Sequence, residues 1–297
     1  MEQFVIGKII KDLRVNLQMT QKELAASICT QGQLSKIEKG EVIPNANTLY
    51  ELARRLDVTI DYLYSMAANP RYDYVKQTFE LMREAVRERN YRLLADLLEN
   101  ERDNLPFQEP LARQFILWHR GIAAYYIDRD LPTAVEFLTE AAEIGKGTKF
   151  VTKRTVEILN SLAILYMEED SYPKACEVFR ECISAIQNMP ILEDQKIKIR
   201  VLYNYAKALY NRGKYAESMK LTQQGILICL RHDTMYLLGE LYFQRGIALE
   251  QLGRDRNRIM AMFEKSQSVF ALQENSAFSK IVEEKLKAYS DDPAPHS

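Results

Sequence analysis

Three stretches of this chain are variations on one pattern. Residues 160–182 (NSLAILYMEEDSYPKACEVFREC), 204–225 (NYAKALYNRGKYAESMKLTQQG) and 244–266 (QRGIALEQLGRDRNRIMAMFEKS) each run from a small residue through an apolar stretch to a turn and then a second amphipathic segment. Gly213 and Gly253 stand 40 residues apart, and Asp170 stands 43 before Gly213. Residues 119–141 (HRGIAAYYIDRDLPTAVEFLTEA) form a looser fourth copy. A period of this length, with small residues at helix crossings and Gly or Asp in the turn, is that of stacked helical hairpins. No single copy can bury its apolar face, so neighbours stack into a right-handed superhelix with a concave inner surface. This repeat domain is expected to span residues 71–290.

Alternating strand patterns are absent, and apolar residues recur at spacings of three and four through nearly the whole sequence, so the chain is expected to be all-α. The stretch MAANPRYD (66–73) breaks the pattern, because Pro70 disfavours helix at Asn69. It separates an N-terminal domain, residues 1–66, from residues 67–90, which read as a linker helix leading into the repeats. Five short helices are expected in the first domain. Ile6, Ile9, Ile10, Leu13 and Leu17 form one face of the first. Thr20 caps the second with Glu23 at the reciprocal position, and Leu24, Ala25 and Ile28 give it a buried side. After the turn ICT, Thr30 and Gln33 repeat the capping pattern, and Gly40 ends the third helix. Two further helices start after Pro44 and at TIDYLY.

Two helices joined by a tight turn, the second short and polar outside, make a helix-turn-helix. The exposed start of its second helix offers Gln31, Gln33, Ser35 and Lys36, while Leu34 and Ile37 face inward. In a major groove a carboxamide can pair bidentately with adenine and a lysine with guanine. Gln21, opening the preceding helix, is placed to reach a phosphate, as are that helix's backbone N–H groups. Thr30 and Gly32 complete the expected DNA-contacting set. Gly32 offers no side chain and so permits close approach. Gln33 has two readings: it holds the cap of its helix or it reads a base.

Position by position, TQKELAASICTQGQLSKIEKGEVIPNANTLYELARRLDV resembles the Xre/Cro-type helix-turn-helix of phage repressors, over about 60 residues. Charge adds little to that. The whole chain has a net charge of −1, with 40 basic and 41 acidic residues, and residues 1–66 balance to zero. Residues 1–40 carry a small basic excess, Lys8, Lys11, Arg14, Lys22, Lys36 and Lys39 against Glu2, Asp12, Glu23 and Glu38. Phosphate contacts supply most non-specific affinity, so one such domain binds weakly and a homodimer on a two-fold double-stranded operator is implied.

In the repeats, Asn204 and Gln244 each lie nine residues before the glycine of their own copy, and Asn160 lies ten before Asp170. A carboxamide offers a donor and an acceptor together, which suits it to the backbone of an extended peptide. Amides at this place equally suit bracing of neighbouring helices. A helix-turn-helix followed by about five tetratricopeptide (TPR)-like hairpins resembles the RRNPP quorum-sensing regulators across essentially the whole chain, in stretches such as YNYAKALYNRGKYAES and LYFQRGIALEQL. The resemblance implies an all-α fold, an N-terminal five-helix Xre/Cro-type domain and then a right-handed superhelix of TPR-like hairpins. It implies a transcriptional regulator that binds a short re-imported signalling peptide in its concave face. Asn160, Asn204 and Gln244 match the amides that hold the peptide backbone in that family. Arg87 and Arg89 match a basic pair on the first repeat helix that meets peptide carboxylate, and Phe278 matches an aromatic that closes the pocket. Arginine favours planar, bidentate carboxylate recognition, and Phe278 lacks a hydroxyl to donate, so peptide specificity is expected to be this chain's own. Arg87 and Arg89 also lie in the charged run REAVRERNYR, where a solvated helix face is the alternative.

Other classes find little support. The start MEQFVIGKII is wrong for a secretory signal and no apolar run approaches a membrane span, so a cytoplasmic protein without a membrane partner is expected. Cys29, Cys176, Cys182 and Cys229 form no CxxC pair, and His119, His232 and His296 share no ligand spacing, so no metal or cofactor is expected. IGKGTK (144–149) lacks phosphate-loop spacing and a preceding strand. Trp118 and the tyrosines fall at helical core positions. No acid, base and nucleophile converge, so no enzyme is expected. Residues 291–297 read as a disordered tail. Two rivals to the peptide-responsive reading are a constitutive repressor whose repeats only dimerise or recruit a partner, and a repeat protein that modulates a kinase or phosphatase.

Overall fold

Two reciprocal caps fix the helices that define the N-terminal region. Thr20 Oγ1 accepts from the Glu23 N–H at 3.2 Å while Glu23 Oε2 accepts from the Thr20 N–H at 2.7 Å; Thr30 and Gln33 repeat this at 3.1 and 2.9 Å. In the computed structural model, which describes residues 2–68, 71–146 and 151–291, these caps open α2 (Gln21–Ala25) and α3 (Gln31–Glu38). They are flanked by α1 (Glu2–Asn16), α4 (Ala46–Arg55) and α5 (Ile60–Ala68), giving five helices. Ile6, Ile10, Leu24, Leu34, Ile37, Leu52 and Leu63 meet in one core. Gly7 lets α1 cross α3 so closely that an added Cβ would collide with the Ile37 carbonyl oxygen.

Two expectations about these helices are corrected. Leu17 does not extend the apolar face of α1: the helix stops at Asn16, Gln18 turns at φ 55°, and Leu17 is 51% exposed. Ile28 lies beyond α2, which ends at Ala25 with Ser27 at φ 60°; it packs on the core from the turn instead.

Next come α6 (Tyr72–Arg87) and α7 (Tyr91–Asn100), then a short 3-10 turn, Leu105–Phe107. The chain divides into two compact units, Met1–Ala112 and Arg113–Ser297. The first hairpin, α6 and α7, falls within the first of these units. Tyr62 of α5 donates to Asp73 Oδ2 at 3.0 Å and packs edge-on against Tyr72, with ring centroids 6.0 Å apart. Phe107 is buried against Phe79 and Tyr74, and the Tyr74 hydroxyl donates to Glu101. Asn69 and Pro70, on which the sequence break rested, lie outside the described residues.

The remaining helices alternate in hairpins: α8 (Pro110–Asp128), α9 (Leu131–Lys146), α10 (Lys153–Glu168), α11 (Tyr172–Gln187), α12 (Lys196–Asn211), α13 (Tyr215–Arg231), α14 (Leu238–Gln251) and α15 (Arg256–Leu272), closed by α16 (Ser276–Asp291). Residues 147–149 of the IGKGTK stretch and residues 292–297 of the tail lie outside the described residues. Within this unit α10 touches α12 and α12 touches α14, whereas α11 and α13, and likewise α13 and α15, do not meet to a comparable extent among the described residues. The first helices of successive hairpins thus lie closer together than the second ones, which puts them on the inner side of the stack.

The turns between paired helices repeat in the backbone. Arg129, Asp170, Gly213 and Gly253 all follow the first helix of a hairpin with positive φ, between 52° and 70°. Arg89 does the same between α6 and α7, at φ 58°. Glycine carries this conformation without a Cβ penalty, and the other three residues carry it at some cost. No strand occurs among the described residues.

Candidate nucleic-acid interface and ligand groove

On α3 the expected contact residues share one exposed face. Gln31, Gly32, Gln33 and Lys36 are exposed and Ser35 is half-exposed, with Leu34 and Ile37 buried beneath them. Gly32 has open space where a side chain would grow, with nothing within 4 Å of a built Cβ. The first two N–H groups of α3, those of Gln31 and Gly32, fall outside the helix's own bonding and point along its N-terminal end.

Gln33 is held by its cap. Its Oε1 accepts from both the N–H and the hydroxyl of Thr30, at 2.9 and 3.2 Å. Bidentate pairing with adenine needs a free acceptor beside the donor, so a capped Gln33 offers only its Nε2 hydrogens. The Thr30 hydroxyl proton is spent in the same cap. Gln31, Ser35 and Lys36 carry the remaining side-chain chemistry of this face.

Gln21 has a partner that sequence reasoning missed. Its Nε2 donates to Glu38 Oε2 at 2.7 Å, and the same carboxylate receives Arg14 Nε at 2.6 Å and Nη2 at 3.1 Å. Arg14 Nη1 also donates to the Met19 carbonyl at 2.7 Å. Glu38 is only 6% exposed, and its carboxylate holds the Arg14 guanidinium above its ordinary pKa. The sequence did contain a signal: Glu38 falls four residues after Leu34, on the inner face of α3. Arg55 braces the region from the other side, donating to the carbonyls of Glu23, Leu24 and Ala26 at the end of α2.

In the repeat unit, Asn160 on α10, Asn204 on α12 and Gln244 on α14 occupy matching places on successive inner helices. Asn204 Nδ2 donates to Asn160 Oδ1 at 3.1 Å. Gln244 is 5% exposed, and its Nε2 has no hydrogen-bond partner among the described residues. Phe278 on α16 stacks on Phe270 with centroids 5.1 Å apart and keeps 39% of its surface exposed. Arg87 and Arg89 belong to the other unit, and both are exposed. The expectation that both sit on the first repeat helix is corrected for Arg89: α6 ends at Arg87, and Arg89 lies in the turn beyond the Glu88 cap.

Among the described residues no cluster of His, Cys, Asp and Glu could hold a metal ion. None of the described helices is long and apolar enough to cross a membrane. Burial pushes the Cys182 thiol up to about 12 and the Cys229 thiol up to about 11, so neither is poised as a nucleophile.

The fold and these two sites define a helix-turn-helix protein with a TPR-like repeat domain. Residues 10–63 match a helix-turn-helix family, and residues 79–290 match the RNPP family C-terminal domain. The chain belongs to the RNPP family. Among solved structures it is similar to Bacillus thuringiensis PlcR in complex with the peptide PapR7 and DNA, at 26% identity and TM-score 0.78 over 94% of this chain and 99% of that one. Apo PlcR matches at 25% identity and TM-score 0.68, over 95% and 98%. ComR from S. thermophilus, in complex with DNA and its signalling peptide ComS, shares the fold at 17% identity and TM-score 0.59, over 96% and 99%. No curated protein sequence matches significantly.

Proposed function

We propose that this chain is a cytoplasmic, peptide-responsive transcriptional regulator of PlcR type, PlcR itself or a close paralogue, which binds a two-fold operator as a homodimer and activates when a short signalling peptide enters its repeat domain. The observation that carries this reading is the similarity to peptide-bound and DNA-bound PlcR over nearly the full length of both chains. The exposed row Gln31, Ser35 and Lys36 is the base-reading set, with the N-terminus of α3 and Gln21 toward the phosphates. Within the repeat unit Asn160, Asn204 and Gln244 hold the peptide backbone and Phe278 packs on its side chains; Arg87 and Arg89, on the other unit, are exposed guanidiniums with the chemistry to take a carboxylate. The orphaned Gln244 Nε2 supports the peptide reading, since a buried donor without a partner costs about 1–3 kcal/mol until something accepts from it. No catalytic step is assigned to any residue.

A ligand switches such a protein only by preferring one arrangement of it. Peptide in the groove favours one curvature of the repeat stack; within the first unit, α6 is held to α5 of the helix-turn-helix domain through Tyr62 and Asp73. The test is operator affinity of the full chain, on DNA selected from random duplexes, with and without a synthetic heptapeptide pool. Equal affinities sink the switch.

The Asn204–Asn160 bond favours a second reading, in which the amides brace helices and the protein is a constitutive repressor whose repeats serve dimerisation or partner recruitment. That reading requires Asn204→Ala to leave regulation unchanged.

A further inference from the structure

Two of the three buried side-chain polar atoms left without a hydrogen-bond partner among the described residues sit on one helix, one turn apart. They are Gln244 Nε2 and Glu240 Oε2, both on α14. Residues four apart share a helix face, so the two side chains spring from neighbouring positions of α14, about 6 Å apart along its axis. They do not bond to each other.

Glu240 is a half-buried carboxylate to which no cation is paired among the described residues. Desolvation raises its pKa, and only its own backbone N–H works against that. Its charge in turn reaches Tyr203 on α12 and Cys229 on α13, which places the carboxylate where α12, α13 and α14 meet. Tyr203 precedes Asn204, and the Lys207 ammonium lies 5.6 Å from the Tyr203 ring centroid. Two cations of α12 are committed to aromatic rings: Lys207 to Tyr203, and Arg200 to Tyr236, whose hydroxyl accepts from Arg200 Nε at 2.7 Å.

An acceptor of this kind, with one oxygen buried and unpartnered and no cation paired with it among the described residues, is built for a donor that arrives from outside. An orphaned amide donor one turn away is built for a carbonyl. We propose that Glu240 is a specificity-determining residue of the groove, which selects ligands carrying a cationic N–H donor, while Gln244 Nε2 takes the carbonyl of the same ligand residue. A lysine or arginine side chain whose own backbone is held at Gln244 presents that pair of groups; a free peptide α-ammonium presents the same chemistry. This inference rests on the peptide-binding reading above and adds to it the charge of the ligand.

The test uses two synthetic random heptapeptide libraries, one with a free amino terminus and one acetylated, retained on immobilised full-length protein and sequenced. Wild type should enrich Lys and Arg at least about tenfold over uncharged residues in both libraries, as a desolvated charge pair requires. Glu240→Gln should lose that enrichment among the peptides it retains, and Glu240→Asp should keep part of it. Enrichment confined to the free-amino library, without a side-chain preference, assigns the α-ammonium as the cation. Peptides retained by wild type without cationic enrichment, or enrichment that survives Glu240→Gln, overturn the role of Glu240 and leave the peptide reading standing. No peptide retained by wild type above a denatured-protein control overturns both.

Discussion

Asn204 Nδ2 donates a 3.1 Å hydrogen bond to Asn160 Oδ1, tying α12 to α10 across 44 residues of sequence. Asn160 is 3% exposed, so Asn204→Ala leaves its Oδ1 without this partner in a place water does not easily reach. The expected cost is about 1–2 kcal/mol, read as a lower urea midpoint with an unchanged slope. Under the peptide reading, the rise in melting temperature caused by added peptide disappears as well. A variant that melts like wild type would show that the bond does not hold the hairpins together.

Glu38 carries the carboxylate that binds Arg14 in the α1–α3 core, and it also accepts from Gln21. Glu38→Gln removes the charge and sets an amide against a guanidinium that remains largely buried. Breaking one partner of a buried pair costs about 3–5 kcal/mol, so the helix-turn-helix domain should melt at a distinctly lower temperature by circular dichroism. Superimposable melting curves would mean that water already relieves the pair.

Capping and reading separate on α3. Gln33→Ala is expected to lose about 1 kcal/mol of stability with its cap while keeping the wild-type operator preference. Gln31→Ala is expected to do the reverse, relaxing discrimination at one base position by about 1–3 kcal/mol. Selection from random duplexes by each variant measures preference and urea unfolding measures stability; a changed base preference in Gln33→Ala would return that residue to the reading set.

Open space around Gly32 makes it a position to write on. Gly32→Gln meets nothing within 4 Å at its Cβ and relieves part of the helical cost of glycine, at most about 1 kcal/mol. Stability should hold or rise slightly while the selected operator changes. An unchanged site profile would place position 32 away from the bases.

Glu240 sets a pH dependence of its own. Its pKa in the folded chain is raised above the ordinary 4.5, so the native state holds its proton more tightly than the unfolded chain does. Stability from this group is fully present below the ordinary value and is lost as pH rises through the folded one. Glu240→Gln should therefore melt above wild type at neutral pH, and the difference should shrink as the solution is acidified toward pH 4.5. A constant difference across that window would remove Glu240 as its source.

Local signals were the readable ones. Thr20 with Glu23 and Thr30 with Gln33 are legible because a cap is written within four residues, and the hairpins are legible because Gly213 and Gly253 mark equivalent turns. Arg89 and Arg129 hold the same turn conformation and went unread, since nothing in an arginine announces a left-handed backbone. The Arg14–Glu38–Gln21 cluster joins residues 24 and 17 positions apart, and counting Glu38 as a surface acid hid it. Its inner-face position was readable from Leu34; that its partners would be Arg14 and Gln21 was not. The packing of α6 on α5 depends on Tyr62 meeting Asp73 and Tyr72, a tertiary event that periodicity does not encode.

Five left-handed residues that turn one hairpin helix into its partner, Arg89, Arg129, Asp170, Gly213 and Gly253, act as a ruler laid along the chain, with graduations 40, 41, 43 and 40 residues apart. The stretch from one graduation to the next is a transferable piece: both of its ends already have the same backbone conformation, so it can be duplicated, lost or exchanged without a new turn. Groove length can then change by whole hairpins while each junction stays in register, and side chains facing the ligand can diversify inside pieces whose seams are fixed by backbone angle alone.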